Sequence, residues 1–173
     1  MRTLVTYISW TGTTRKIAEA IFDAISAPKD LMTFNEVIDM ASYDVLFVGF
    51  PMHGTEQPAE EAVQFLKERC AGRKVALFLL HAAPEDSPYV PCWLDLCKDA
   101  ARATQLLGLA DFQGQASLEL VDMILQSPDA KGRELLPFLV HSSLGQPDAS
   151  RLQRARKFAA DIMASQQAAR TAQ

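Results

Sequence analysis

The chain has 173 residues, a length that suits one compact domain and is short for two. Hydrophobic residues make up 49% of the chain and charged residues 22%, so a single core can form without a disulfide or a metal. The net charge of −4 disfavours a nucleic-acid-binding protein, because the binding face of such a protein is normally basic.

Five short apolar segments predict the strands of one buried parallel sheet. The three clearest are almost continuously apolar and are followed by turn residues, as is typical of central strands covered on both faces. They span residues 4–8, 45–50 and 75–80. Weaker strand candidates lie at residues 31–34 and 110–116.

Helical spacing of apolar residues predicts helices between these strands. They span residues 14–25, 58–70, 91–107 and a last helix from about 148 to 164. Gly108 is predicted to end the third helix and Asp148 to cap the fourth. Because strands alternate with helices, we predict an open, doubly wound parallel sheet with helices on both faces.

The rest of the chain is less regular. Residues 118–141 predict short helices and loops packed beside the last strand. We expect residues 1–164 to form a single domain and the polar tail at 165–173 to fray.

Cysteine usage and the N-terminal segment predict a cytoplasmic protein. The three cysteines, Cys70, Cys92 and Cys97, form no C-x-x-C pair, so free thiols in a reducing compartment are expected. The N-terminus runs directly into a predicted strand, without the apolar core and cleavage site of a signal peptide. No apolar segment approaches the length of a membrane span, and the three histidines show no metal-ligand spacing.

The loop after the first predicted strand has the composition of a phosphate-binding site. It consists of Ser9, Trp10, Thr11, Gly12, Thr13 and Thr14. Its hydroxyl groups, a glycine that permits close backbone approach, and the start of a helix together favour an anion. A helix N-cap without any ligand is the alternative interpretation. Because the loop has no lysine and no G-x-x-x-x-G-K-[ST] pattern, a monoester phosphate is preferred to a nucleoside triphosphate.

These residues resemble the phosphate loop of the flavodoxin family, S/T-x-T-G-x-T. Ser9, Thr11, Gly12 and Thr14 match that pattern, and a turn containing Gly145, Pro147 and Asp148 resembles the segment that opens the family's last helix. The resemblance implies a flavodoxin-like five-stranded parallel sheet of order 2-1-3-4-5 and FMN as the cofactor. Thr6 departs from the family, which usually has an apolar strand residue there.

The same resemblance assigns the isoalloxazine ring of FMN to two further loops. In the loop after residue 50, Pro51, Met52 and His53 are candidates to contact the ring, and Gly54 is the candidate for a backbone bond with the flavin N5. Ordinary turn chemistry explains Pro51 and Gly54 equally well.

The loop after residue 80 corresponds to the family's ring-stacking and pyrimidine-binding loop. The candidates there are His81, Ala82, Ala83 and Tyr89. Tyr89 or Trp10 is expected to stack on the ring, and His81 either faces the ring or caps its strand.

The resemblance implies an electron-transfer flavoprotein, monomeric or weakly dimeric, that exchanges electrons with a partner oxidoreductase. No catalytic acid or base stands out. Two alternatives stay open: an FMN-dependent NAD(P)H:quinone-type oxidoreductase, and a domain of this fold that has lost its flavin.

Overall fold

The computed structural model describes residues 1–53 and 57–171, and of His53 the backbone alone. The strands are β1 (Thr3–Tyr7), β2 (Lys29–Thr33), β3 (Val45–His53), β4 (Gln57–Pro58), β5 (Lys74–His81) and β6 (Gln105–Gln113). The helices are α1 (Thr13–Ala24), α2 (Glu60–Arg69), α3 (Val90–Ala100), α4 (Leu118–Gln126), α5 (Ala130–Ser143) and α6 (Ala149–Thr171). A 3₁₀ turn at Phe34–Glu36 follows β2.

The sheet has five parallel strands in the order β2-β1-β3-β5-β6. Counted among the parallel strands alone, this is the predicted order 2-1-3-4-5, so the predicted α/β fold class is confirmed. The one addition is the short strand β4, which pairs antiparallel with the end of β3.

Alternate residues of the central strands pack into two cores, one on each face of the sheet. Val5, Phe47 and Phe78 lie on the face covered by α1 and α6. Leu46 and Leu77 lie on the face covered by α2 and α3. Because both faces of these strands are buried, the sequence has continuous apolar segments here in place of alternation.

The predicted third helix, residues 91–107, is longer than helix α3 in the structure. The structure ends α3 at Ala100 and begins β6 at Gln105, so Gly108 lies inside a strand and does not end a helix. A Cβ atom on Gly108 would lie 2.8 Å from Cδ1 of Ile162. The glycine therefore serves close packing of α6 on the sheet, a tertiary requirement that local periodicity does not contain.

The last helix begins where the sequence predicts. The Asp148 carboxylate accepts a hydrogen bond from the Arg151 amide at 3.0 Å, which caps α6. Hydrogen bonds from Ser150 and from that amide lower the pKa of Asp148 to about 2. The helix continues through the segment 165–171, and the predicted fraying of this tail stays a prediction. Within residues 1–53 and 57–171, no helix is long and apolar enough to cross a membrane.

The three cysteines are free thiols. Burial of Cys70 and Cys97 raises the pKa of each thiol to about 12, so neither is a nucleophile at neutral pH. Cys92 is exposed.

Thr6, the polar residue of β1, is fully buried, and its hydroxyl has no hydrogen-bond partner within the described parts of the chain. A buried hydroxyl without a partner costs free energy that an isosteric methyl group does not. We therefore expect Thr6→Val to raise the free energy of unfolding by about 1 kcal/mol, measured by urea denaturation. Thr3→Val is the matched control in the same strand, because the Thr3 hydroxyl contacts the Met163 sulfur. An equal gain for both variants would contradict this explanation.

Candidate functional site

The loop between β1 and α1 has the geometry of an anion site. Gly12 occupies the N-cap position of α1 with φ +82°, a left-handed conformation that favours glycine. A Cβ placed on Gly12 would meet no atom within 4 Å, so open space adjoins the loop. Thr13 and Thr14 begin the helix and are buried, and the hydroxyls of Thr11 and Thr13 lie 3.0 Å apart.

The positive end of the α1 dipole is not neutralised by a side chain of the first turn. Among the described residues, no side chain caps the first turn at Gly12, and that turn holds no acidic residue. The Arg15 amide donates to the Ser9 hydroxyl, but this contact is long, at 3.4 Å. Amides of a first helical turn and its dipole favour a negatively charged group.

A cavity of about 270 Å³ adjoins this loop, near the lower end of the range for small-molecule sites. Eight residues predicted from the sequence line it: Trp10, Thr11, Thr13, Thr14, Pro51, Met52, His81 and Ala82. These residues lie at the carboxyl ends of β3 and β5, in the loops that follow β1 and β5 or at the start of α1, and they meet because the carboxyl ends of parallel strands share one edge of the sheet. Trp10 is 41% exposed, which gives the cavity an accessible aromatic wall.

Other predicted residues lie outside the cavity or outside the described part of the chain. Ala83 is buried and does not line the cavity. Tyr89, predicted as a stacking residue, is 62% exposed and packs its ring on Trp93 instead. Gly54, with its predicted N5 contact, falls outside the described residues, as does the side chain of His53.

The sequence interpretation missed a fourth wall. The segment that follows β6 contributes Gly114, Gln115, Ser117, Glu119, Leu120 and Met123 to the cavity. A Cβ on Gly114 would lie 3.0 Å from the Thr13 hydroxyl, so this glycine lets the segment pack against the anion loop. The sequence did indicate part of this wall, because the predicted strand 110–116 extends three residues past the end of β6 into this segment.

A polar network fixes the loop between β5 and α3. The Gln113 side chain donates to the Ala82 carbonyl at 3.1 Å, and the Gln113 amide donates to Glu85 at 3.2 Å. Glu85 also forms ion pairs with Arg151 and Arg154 of α6. The loop is therefore held by groups from β6 and α6.

Asp111 belongs to the same network. Burial alone would raise the pKa of its carboxyl, but the hydrogen bond with His81, together with the charge of Arg154, holds that pKa below its ordinary value. The Asp111 carboxyl is therefore ionised at neutral pH.

The residues present fit a phosphorylated aromatic ligand such as FMN. Hydroxyls, a glycine and the amino end of a helix suit a phosphate monoester. Trp10, Met52, Leu120 and Met123 supply apolar and aromatic surface for a flat ring in the same cavity. No cluster of three metal-ligating side chains occurs in the described portion of the chain.

Comparison with known proteins identifies the family to which the chain is similar. Residues 4–160 match the flavodoxin domain family model. The chain is 27% identical over 172 residues to the flavodoxin-like domain-containing protein BilS of Clostridioides difficile (strain CD3), with 94% of this chain and 97% of that protein covered.

Solved structures share the fold. Oxidised flavodoxin 2 from Bacillus cereus is 18% identical, with a TM-score of 0.59, and the match covers 95% of this chain and 99% of that one. A flavoprotein in complex with FMN from Lactobacillus acidophilus NCFM is 20% identical, with a TM-score of 0.53, and the match covers 64% of this chain and 92% of that one.

Proposed function

We propose that this chain, which belongs to the flavodoxin domain family, holds FMN and carries electrons to or from a partner oxidoreductase. The observation that carries the proposal is the continuity of the anion loop at Gly12–Thr14 with the partly aromatic cavity beside it. One continuous site then accommodates both ends of FMN.

Each wall has a distinct part in binding. Thr11, Thr13 and Thr14, with the first amides of α1, hold the phosphate through hydroxyl and amide donors. Trp10 and Met52 cover the ring and exclude water from it. FMN supplies the redox chemistry when bound, and the protein supplies binding, orientation and electrostatics.

Electron transfer to a partner is the function that family membership supports. The chain needs no acid–base pair for this task, because the flavin itself accepts and donates the electrons. The three free thiols support localisation in a reducing compartment such as the cytoplasm.

A flavin titration tests the proposal. We expect the purified protein to carry flavin, or to bind added FMN with a one-to-one end point in visible absorbance, and to bind riboflavin more weakly. The reason is that riboflavin lacks the phosphate for which the loop at Gly12–Thr14 is shaped. Bound FMN is expected to be reduced by NAD(P)H only when a flavodoxin reductase is added.

Two results would overturn the proposal in different ways. Absence of FMN binding would show a domain that has kept the fold without the flavin. Steady oxidation of NAD(P)H by the purified protein, with a quinone as acceptor and no reductase, would show a self-sufficient oxidoreductase.

A further inference from the structure

His81 stands at the end of β5 in an unusual hydrogen-bonding environment. Its Nδ1 lies 2.8 Å from the carbonyl oxygen of Ala83, and its Nε2 lies 3.2 Å from Oδ2 of Asp111. Its side chain is almost completely buried. Trp93 packs beside the imidazole, with ring centroids 5.2 Å apart.

Both neighbours of the ring are acceptors. A backbone carbonyl has no proton to donate, and the ionised Asp111 carboxylate has none either. A neutral imidazole carries one N–H and therefore satisfies only one of these two contacts. Both contacts are hydrogen bonds only if His81 is a doubly protonated imidazolium.

The surrounding charges are compatible with a buried cation. On β6, Asp111 provides the one negative charge that contacts the ring among the residues that the structure describes. The neighbouring α3 presents Trp93, which does not titrate. Arg154 of α6 contacts the Asp111 carbonyl and is itself paired with Glu85 of the loop. The imidazolium and Asp111 thus form a pair of no net charge.

His81 also helps to fix the conformation of the loop between β5 and α3, which follows it in the chain. Three successive carbonyls, those of His81, Ala82 and Ala83, accept bonds from the Gly114 amide, the Gln113 side chain and the His81 ring. Ala82 lies at the wall of the cavity, and within the described residues its amide donates to no other group.

We propose that His81 is a positioning residue that holds the β5–α3 loop in its ring-binding conformation as an imidazolium bridging Ala83 and Asp111. Loss of one imidazole proton breaks one of the two bonds and frees the loop. Flavin affinity therefore depends on the protonation of a residue buried beside the cavity. This inference rests on the proposed FMN-binding function.

The protonation state is measured directly on the flavin-free protein. Long-range ¹H–¹⁵N NMR spectra, recorded over a pH series, distinguish an imidazolium from either neutral tautomer. His53→Gln and His141→Gln variants assign the His81 signals among the three histidines. We expect both ring nitrogens of His81 to be protonated at neutral pH. A neutral tautomer there would overturn the proposal without any change to His81 or Asp111.

The functional consequence is measured as flavin affinity over the same pH series. We expect the affinities for FMN and riboflavin to fall together, by about tenfold, at the pH where NMR shows His81 losing its second proton. If His81 had only a structural role, the NMR titration curve of His81 and the curve of flavin affinity against pH would not have the same midpoint.

Asp111→Asn removes the charge that favours the imidazolium. We expect the loss of the His81 proton and the fall in flavin affinity both to move to lower pH in this variant. Asp86→Asn is the matched control, since it makes the same change of charge at an exposed position of the same loop. Its two curves should match those of the unaltered protein.

Different results would refute the proposed FMN-binding function and the positioning role of His81. A protein that binds no FMN at any pH refutes the proposed function and this role with it. Binding of FMN that ignores the titration of His81 refutes only the positioning role.

Discussion

The double variant Thr11→Ala/Thr14→Ala is expected to bind FMN about a hundredfold more weakly than the unaltered chain, with its affinity for riboflavin nearly unchanged. Both threonines line the cavity at the start of α1. A hydrogen bond to a charged group contributes about 1.5–3 kcal/mol, which is about tenfold or more in affinity for each hydroxyl. Riboflavin lacks the phosphate and so loses neither bond.

Fluorescence titration of both flavins measures this difference. Thr104→Ala is the matched control, because its hydroxyl donates to the Ala101 carbonyl at the opposite end of the sheet. This control should leave both affinities unchanged. Equal losses for FMN and riboflavin in the double variant would contradict the assignment of the phosphate to this loop.

Gly49→Ala is expected to lower the free energy of unfolding by about 3 kcal/mol. Gly49 lies in β3, which is paired on both sides, and a Cβ there would fall 1.9 Å from Cε2 of Phe78. That distance is far inside van der Waals contact, so the Phe78 ring or the sheet must move. Urea denaturation measures the loss, and the FMN end point reports whether the fold survives.

Phe78 provides the means to test the cause. In a Phe78→Val background the ring atoms that meet the new methyl group are gone, so we expect Gly49→Ala to cost less than about 1 kcal/mol. An undiminished cost of Gly49→Ala in the Phe78→Val background would place the strain elsewhere.

The central strands and the geometry of the loop between β1 and α1 are the parts that the sequence predicts well. Continuous apolar segments such as 45–50 and 75–80 indicate strands buried on both faces, because no alternation remains when both faces are covered. The loop from Ser9 to Thr14 is local in the chain, so its glycine and hydroxyls predict its geometry directly.

The edge strand β6 and the segments that line the cavity were harder to predict. Gly108 has the local signature of a helix end, yet its role is to admit Ile162 of the distant helix α6. Tyr89 is an aromatic residue in the expected loop, but its contact with Trp93 takes its ring away from the cavity. The periodicity of the neighbouring residues does not indicate either contact.

The sequence by itself determined the fold class and the position of the loop between β1 and α1, because both depend on residues close together in the chain. The order of the parallel strands came from the resemblance to the flavodoxin family. The tertiary structure alone decided the fourth wall of the cavity after β6 and the pairing of His81 with Asp111. Those two residues are 30 positions apart, and only the register between β5 and β6 brings them into contact.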